Sequence, residues 1–205
     1  MRTFASDMRD TRIIGLTGGI GAGKSFIANG LRNMGYEVYD SDAAAQRLIH
    51  DNLCVRSQIE LLFGSDIFVN DCYDKQRVST MVFSNPELLD KLNQIVHPAV
   101  AYDLQEWAHN ANGKVVFAEA AILFESGFNK LCQAVVCVVA PDEVRIRRAM
   151  ERDHSTRQAV EERLRNQLDQ DWLKEHADLV ICNEGDCSVE LLCEKIRDFV
   201  EKLEE

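Results

Sequence analysis

The chain has no excess of positive charge, no long apolar run, no C-x-x-C motif and almost no proline. Each absence removes a class of protein. Lys and Arg number 23 against 34 Asp and Glu, for a formal net charge of −11. That balance argues against non-specific nucleic-acid binding and against attachment to an anionic membrane. No apolar stretch approaches the ~18 residues of a membrane span. The polar start Met1 to Thr11 lacks the apolar core of a secretory signal. A cytoplasmic protein is expected, with a loose extension over residues 1–11 in which Met8 could be an alternative start. Three prolines are too few for a proline-rich linker, and no repeat is visible. The seven cysteines are Cys54, Cys72, Cys132, Cys137, Cys182, Cys187 and Cys193. Cys137 lies within the apolar run Val135 to Val139, so reduced, buried thiols are expected in place of disulfides or a metal site.

A hydrophobic content of 46% over 205 residues supports one substantial core. The stretch that organises the chain is Gly18 to Ser25, G-G-I-G-A-G-K-S, which fits G-x-x-x-x-G-K-[ST]. The apolar Ile13-Ile14-Gly15-Leu16 before it reads as a buried strand. Ile27, Ala28 and Leu31 after it share one helical face. Strand, glycine loop and helix together aim backbone N–H groups and a positive helix end at a phosphate. Lys24 then reaches the β- and γ-phosphates, and the Ser25 hydroxyl ligates Mg²⁺. The loop by itself leaves open a kinase, a motor or a switch.

Strands and helices alternate along the rest of the chain, which predicts an α/β fold with a parallel sheet covered on both faces. Expected strands are Glu37 to Tyr39, Lys114 to Glu119 after a turn at Asn112-Gly113, Gln133 to Ala140, and Asp178 to Cys182. A helix is expected from about Asp42, and an amphipathic one closes the chain from Ser188 to Leu203. From Val55 to Trp107 the spacing is helical, with one break at Gly64 to Lys75 and no strong strand. Ser84-Asn85-Pro86-Glu87 reads as a helix start, and His97-Pro98 as a helix boundary. Glu143 to Lys174 reads as charged helices.

Ligands of such a sheet sit at the carboxyl ends of its strands. Those ends are the glycine loop, Asp40 and Asp42, Glu119, and Asn183. Asp40 and Asp42, i and i+2, share a face if the segment is extended. One of them could orient an acceptor hydroxyl and take its proton, or Asp42 could simply cap the next helix. Glu119 stands where a Walker-B carboxylate holds Mg²⁺, or is an ordinary strand-end acid. Arg148 and Arg152 are i and i+4 within a cluster that includes Arg145, Arg147 and Arg163. They suit a γ-phosphate under a mobile, water-excluding lid, or a solvated face paired with Glu143, Glu151, Glu161 and Glu162.

Several of these pieces together resemble the dephospho-coenzyme A kinases. The residues are Leu16 to Ser25, Asp40-x-Asp42, Phe83, His97-Pro98, Ile122-Leu123-Phe124-Glu125, Arg148, Arg152-Asp153, Arg163 with Gln167, and Ala177-Asp178-x-x-Ile181-x-Asn183. The resemblance implies transfer of the γ-phosphate of ATP, with Mg²⁺, to the ribose 3′-hydroxyl of dephospho-coenzyme A. It implies a five-stranded parallel P-loop kinase core, a helical acceptor-binding insertion and a helical lid. The nucleotide-binding core would be 12–45, 110–145 and 176–205, the insertion 46–109, and the lid 146–175. Asp42 becomes the general base, Lys24 and Arg148 the γ-phosphate stabilisers, and Asn183 a neighbour of the adenine. Gly19, Ile20, Gly21, Ala22, Gly23, Lys24, Ser25 and Phe26 hold the nucleotide with Arg148 and Arg152. Lys75, His97, Leu123, Phe124 and Glu125 join Asp42 at the acceptor, and Ser25 with Glu119 takes the metal. Phe26, Ala121, Lys75 and Arg145 depart from the threonine, proline, arginine and glutamine usual in the family. Lysine at 75 offers a point charge where arginine offers a fork. Two other functions stay open: a kinase of the same fold with another small acceptor, and a P-loop switch or regulatory ATPase. No N-K-x-D guanine-reading motif is present.

Overall fold

The computed structural model describes residues 11–69, 71–83, 85–185 and 187–204. Met8, Ser84 and the extension at 1–10 therefore lie outside the described residues. In chain order the elements are β1 (Arg12–Thr17), α1 (Lys24–Asn33), β2 (Glu37–Asp40), α2 (Ser41–Asp51), α3 (Leu53–Phe63), β3 (Phe68–Val69) and β4 (Cys72–Tyr73). Then come α4 (Lys75–Phe83), α5 (Pro86–His109), β5 (Val115–Glu119), β6 (Ala134–Val139), α6 (Asp142–Asp153), α7 (Arg157–Arg165), α8 (Gln170–His176), β7 (Leu179–Cys182) and α9 (Val189–Glu204).

The described residues form two compact units, one of 11–39 and 108–204 and one of Asp40–Trp107. The first is built on a five-stranded parallel sheet in the order β2-β5-β1-β6-β7. Its central strands are mainly apolar, β5 and β6 being buried at every position, as a sheet covered on both faces requires. Ile14, Leu16, Phe117, Val136, Val138 and Ile181 form the sheet side of the core. Ile27 and Leu31 of α1 and Leu192 and Ile196 of α9 cover it. Two carboxylates pin the sheet edges. Glu37 Oε1 accepts from the N–H groups of Asn112 and Gly113 at 2.8 and 3.2 Å, fixing the turn into β5. Asp178 Oδ2 accepts from Val135 N–H at 2.8 Å where β7 begins.

The second unit is mainly helical. α2 is capped by Asp40, which accepts from Ala43 N–H at 2.9 Å, and α3 by Asn52, which accepts from Cys54 and Val55. Two expectations are corrected here. Phe68–Val69 pairs antiparallel with Cys72–Tyr73, so the break in the helical pattern contains a short hairpin. The expected helix boundary at His97-Pro98 is absent, because α5 runs through Pro98 for 24 residues. Proline removes one N–H from the ladder. Here the helix is anchored on both sides of that gap by the buried Val96, Val100 and Leu104. The helix start at 84–87 has Asn85 accepting from Leu88 N–H at 3.1 Å and Pro86 in the first helical position.

All cysteines are free, but only Cys137 and Cys193 are buried. Cys54, Cys72, Cys182 and Cys187 are exposed, against the expectation of buried thiols. Burial raises the Cys132 thiol to about 12 and those of Cys137 and Cys193 to about 11, so these three are protonated at neutral pH. Among the described residues no helix is long and apolar enough to cross a membrane, and no cluster of His, Cys, Asp and Glu has the makings of a metal site.

Candidate active site

β1 ends at Thr17 and α1 begins at Lys24, so the glycine loop spans the carboxyl edge of the sheet at its central strand. Gly18 and Gly23 have φ of 146° and 100°. A Cβ on Gly18 would collide with the Val138 carbonyl, and one on Gly23 with the Asn183 amide. Only glycine satisfies both demands at these positions. The Lys24 ammonium donates to the Gly18 carbonyl at 2.7 Å, which folds it over the loop. The Ser25 hydroxyl donates to Glu119 Oε1 at 2.9 Å. That contact follows from strand register, since β1 and β5 are neighbours with Leu16 opposite Glu119. Glu119 is 9% exposed and Ser25 lies at the surface, so a pair of hard oxygen donors stands beside the loop. The pair suits Mg²⁺, which prefers carboxylate and hydroxyl oxygen.

Asn183 is 3% exposed and donates through Nδ2 to the Ala22 carbonyl at 2.9 Å, which ties the end of β7 to the loop. Arg148 donates to the Asn183 carbonyl at 3.1 Å and to its side-chain oxygen at 3.4 Å. The guanidinium of Arg148 and the amide of Asn183 thus meet at Gly23. Arg152 is engaged differently. It grips Asp153 through two hydrogen bonds, of 2.7 and 3.0 Å, while Arg163 donates to the same carboxylate at 2.6 Å. The partner of Arg152 and Arg163 is therefore Asp153, not the glutamates of the solvated-face alternative. Glu143 and Glu161 pair with Arg157.

The other expected residues divide by unit. Leu123 is fully buried, and its side chain packs under Gly15 of β1 in the core. Phe124 packs edge-on against Trp172, which stacks on His176 at 3.7 Å. Glu125 and Phe26 are exposed. In the second unit, Asp42 and Lys75 are exposed, in the first turns of α2 and α4. His97 is half-buried in α5, and burial pushes its pKa down, favouring the neutral imidazole. Asp40 and Asp42 do not share an extended face, because the strand stops at Asp40 and the helix starts at Ser41. Asp40 is the residue that caps α2, so the capping alternative raised for Asp42 is filled by its neighbour.

Two contacts to the loop have no counterpart in the sequence reasoning. Gln167 accepts from Ile20 N–H at 2.8 Å, and the buried Arg145 donates to the Ile20 carbonyl at 3.1 Å. Both residues lie far from the loop in sequence, and no spacing rule links them to it.

Strand, glycine loop and helix, a serine–carboxylate oxygen pair, and an arginine at the loop define the class: a phosphotransferase with the P-loop kinase fold. Residues 12–188 match the dephospho-CoA kinase family. A dephospho-CoA kinase of Porphyromonas gingivalis is 39% identical over 171 residues, covering 83% of this chain and 85% of that relative. One from Fusobacterium nucleatum is 36% identical, covering 93% and 98%. The solved dephospho-CoA kinase of Campylobacter jejuni shares the fold, with a TM-score of 0.69 at 24% identity and coverage of 94% and 98%. The chain belongs to the dephospho-CoA kinase family, whose reaction is the ATP-dependent phosphorylation of dephospho-CoA, the last step of coenzyme A biosynthesis.

The Asp153 cluster yields a pH prediction. Hydrogen bonds from Arg152 and then Arg163 hold the Asp153 carboxyl well below the usual carboxylate range. A folded-state pKa below the unfolded one contributes stability that is complete above about pH 4 and lost as the pH falls through the folded value. Asp153→Asn is expected to lower Tm at pH 7, with the gap to wild type closing progressively below about pH 4. Thermal unfolding across that range checks it; a gap independent of pH would contradict the assignment.

Proposed function

We propose that the chain transfers the γ-phosphate of ATP to the 3′-hydroxyl of the ribose in dephospho-CoA, with Mg²⁺ as cofactor. The observation that carries this reading is the Ser25–Glu119 hydrogen bond beside a glycine loop with Lys24 at its end. Those two oxygens would hold the metal. When bound, Mg²⁺ offsets charge on the phosphates and helps align them.

The residues of the chain do the rest. The loop from Gly19 to Ser25, with Phe26 beyond it, cradles the donor phosphates through backbone N–H groups. Lys24 leaves the Gly18 carbonyl for the γ-phosphate, a move that exchanges one hydrogen bond for a charge-assisted one. Arg148 stabilises charge developing on the transferring group, and Arg152 adds to it if released from Asp153. Asn183, fixed on Ala22, borders the adenine. Asp42 takes the proton from the acceptor hydroxyl as its oxygen bonds to the γ-phosphorus. The bond from that phosphorus to the β-phosphate oxygen breaks, and ADP leaves. Commitment of Asp40 to the helix cap supports Asp42 as the base. Lys75, His97, Phe124 and Glu125 would contact the acceptor, with the 46–109 insertion as its binding domain and 146–175 as the lid. The reading is of a cytoplasmic enzyme working on small molecules, in keeping with the net charge of −11.

An ADP-release assay with dephospho-CoA, with AMP and with no acceptor tests the function. Turnover is expected only with dephospho-CoA; equal ATP hydrolysis in all three would overturn it in favour of a regulatory ATPase. Lys24→Ala is expected to lower kcat by at least about a hundredfold, since a transition-state contact of this type is worth ~3–4 kcal/mol. Near-normal kcat would remove Lys24 from catalysis. Asp42→Asn should cut kcat with little change in KM. A rise in KM alone would make Asp42 a binding residue and move the base elsewhere.

A further inference from the structure

The tip of the glycine loop is gripped at three points by the segment that follows β6, from α6 to the α7–α8 connection. The Ile20 N–H donates to Gln167 Oε1 at 2.8 Å, and the Ile20 carbonyl accepts from Arg145 Nε at 3.1 Å. These atoms belong to the two peptide planes on either side of the Ile20 Cα, so both planes are fixed. The Ile20 side chain packs onto Ile146, Ala149 and Val160, the apolar core between α6 and α7.

The grip is itself braced. Arg145 Nη1 donates to Asp142 Oδ1 at 3.0 Å, and Gln170 Nε2 donates to that same oxygen at 3.1 Å. Gln170 Oε1 then accepts from Ala140 N–H, just past the end of β6, at 3.2 Å. Burial works against the Arg145 charge, and Asp142 offsets it, so the guanidinium is committed to this position. Asp142, Arg145, Gln167 and Gln170 thus link the sheet edge and the charged helical segment to one loop residue. A glycine-rich loop surrenders more conformational freedom on ordering than any other backbone. Holding it before the ligand arrives removes that loss from the binding step.

We propose that Gln167 is a positioning residue for the nucleotide. Its oxygen keeps the Ile20 peptide in the phosphate-binding shape in the free protein, and the α7–α8 segment thereby sets affinity for ATP without entering the transfer step. The inference rests on the loop binding nucleotide and is independent of the acceptor.

Gln167→Met keeps the reach of the side chain and removes the acceptor oxygen. Loss of one such bond corresponds to about three- to thirtyfold in affinity. The Kd for ATP measured without acceptor, and KM for ATP, are expected to rise by that factor. The kcat and the KM for dephospho-CoA should stay within about twofold, a split that general destabilisation does not produce. Hydrogen exchange at the Ile20 amide, followed by NMR, should accelerate in Gln167→Met and slow again in Gln167→Glu, which retains an accepting oxygen. An unchanged Kd for ATP in Gln167→Met, with the Ile20 amide deprotected, would overturn the proposal. So would a fall in kcat at unaltered ATP affinity. Wild-type protein that binds ATP but does not phosphorylate dephospho-CoA would instead overturn the acceptor reading and leave this one standing.

Discussion

The glycines of the loop leave no room for a Cβ, and the rest of the active site depends on that restriction. Its backbone runs against the Val138 carbonyl at the end of β6, the backbone of Arg145 in α6, and the Asn183 amide after β7. A loop packed this closely on three neighbours is part of the framework. Its Ile20 N–H is held by Gln167 and its Ala22 N–H by the Gly19 carbonyl. The glycines serve less to make the loop mobile than to let the neighbours approach.

Strand order then delivers the polar groups. β1 stands between β5 and β6, so the residues at the ends of those strands arrive on either side of the loop. Leu16 opposite Glu119 brings the carboxylate to the first turn of α1, where Ser25 meets it. Val139 opposite Cys182 brings the next residue, Asn183, to Ala22 and Gly23. Arg148 reaches the same point from α6, held by both oxygens of Asn183. A parallel sheet thus turns positions far apart in sequence into one cluster, and each member is fixed by a partner of its own.

Local patterns carried much of this into the sequence. The P-loop spacing, the apolar strand before it and the alternation of strands and helices are short-range signals, and the sheet contains the strands they imply. The placing of Glu119 and Asn183 beside the loop was legible because strand ends in such a sheet lie along one edge. Other features depend on tertiary context. Proline normally ends a helix, but α5 continues through Pro98 because buried residues on both sides hold it. The hairpin at 68–73 is too short for its alternation to stand out. Leu123 sits in a stretch that resembles an acceptor-binding motif, yet its side chain fills the space that Gly15 leaves. The Gln167 and Arg145 contacts span 147 and 125 residues, and nothing in their spacing announces them.

Close packing around the loop is what readies it for a nucleotide. Gly23→Ala tests this most directly, because φ at Gly23 is 100° and the added methyl meets the Asn183 amide. Calorimetric titration with ATP, alongside far-ultraviolet circular dichroism, is the measurement. An intact fold and a fall in affinity of at least about a hundredfold are expected, the ~1–3 kcal/mol of backbone strain adding to the displaced Asn183 contact. Affinity within about threefold of wild type, the scale of a single weak hydrogen bond, would contradict it.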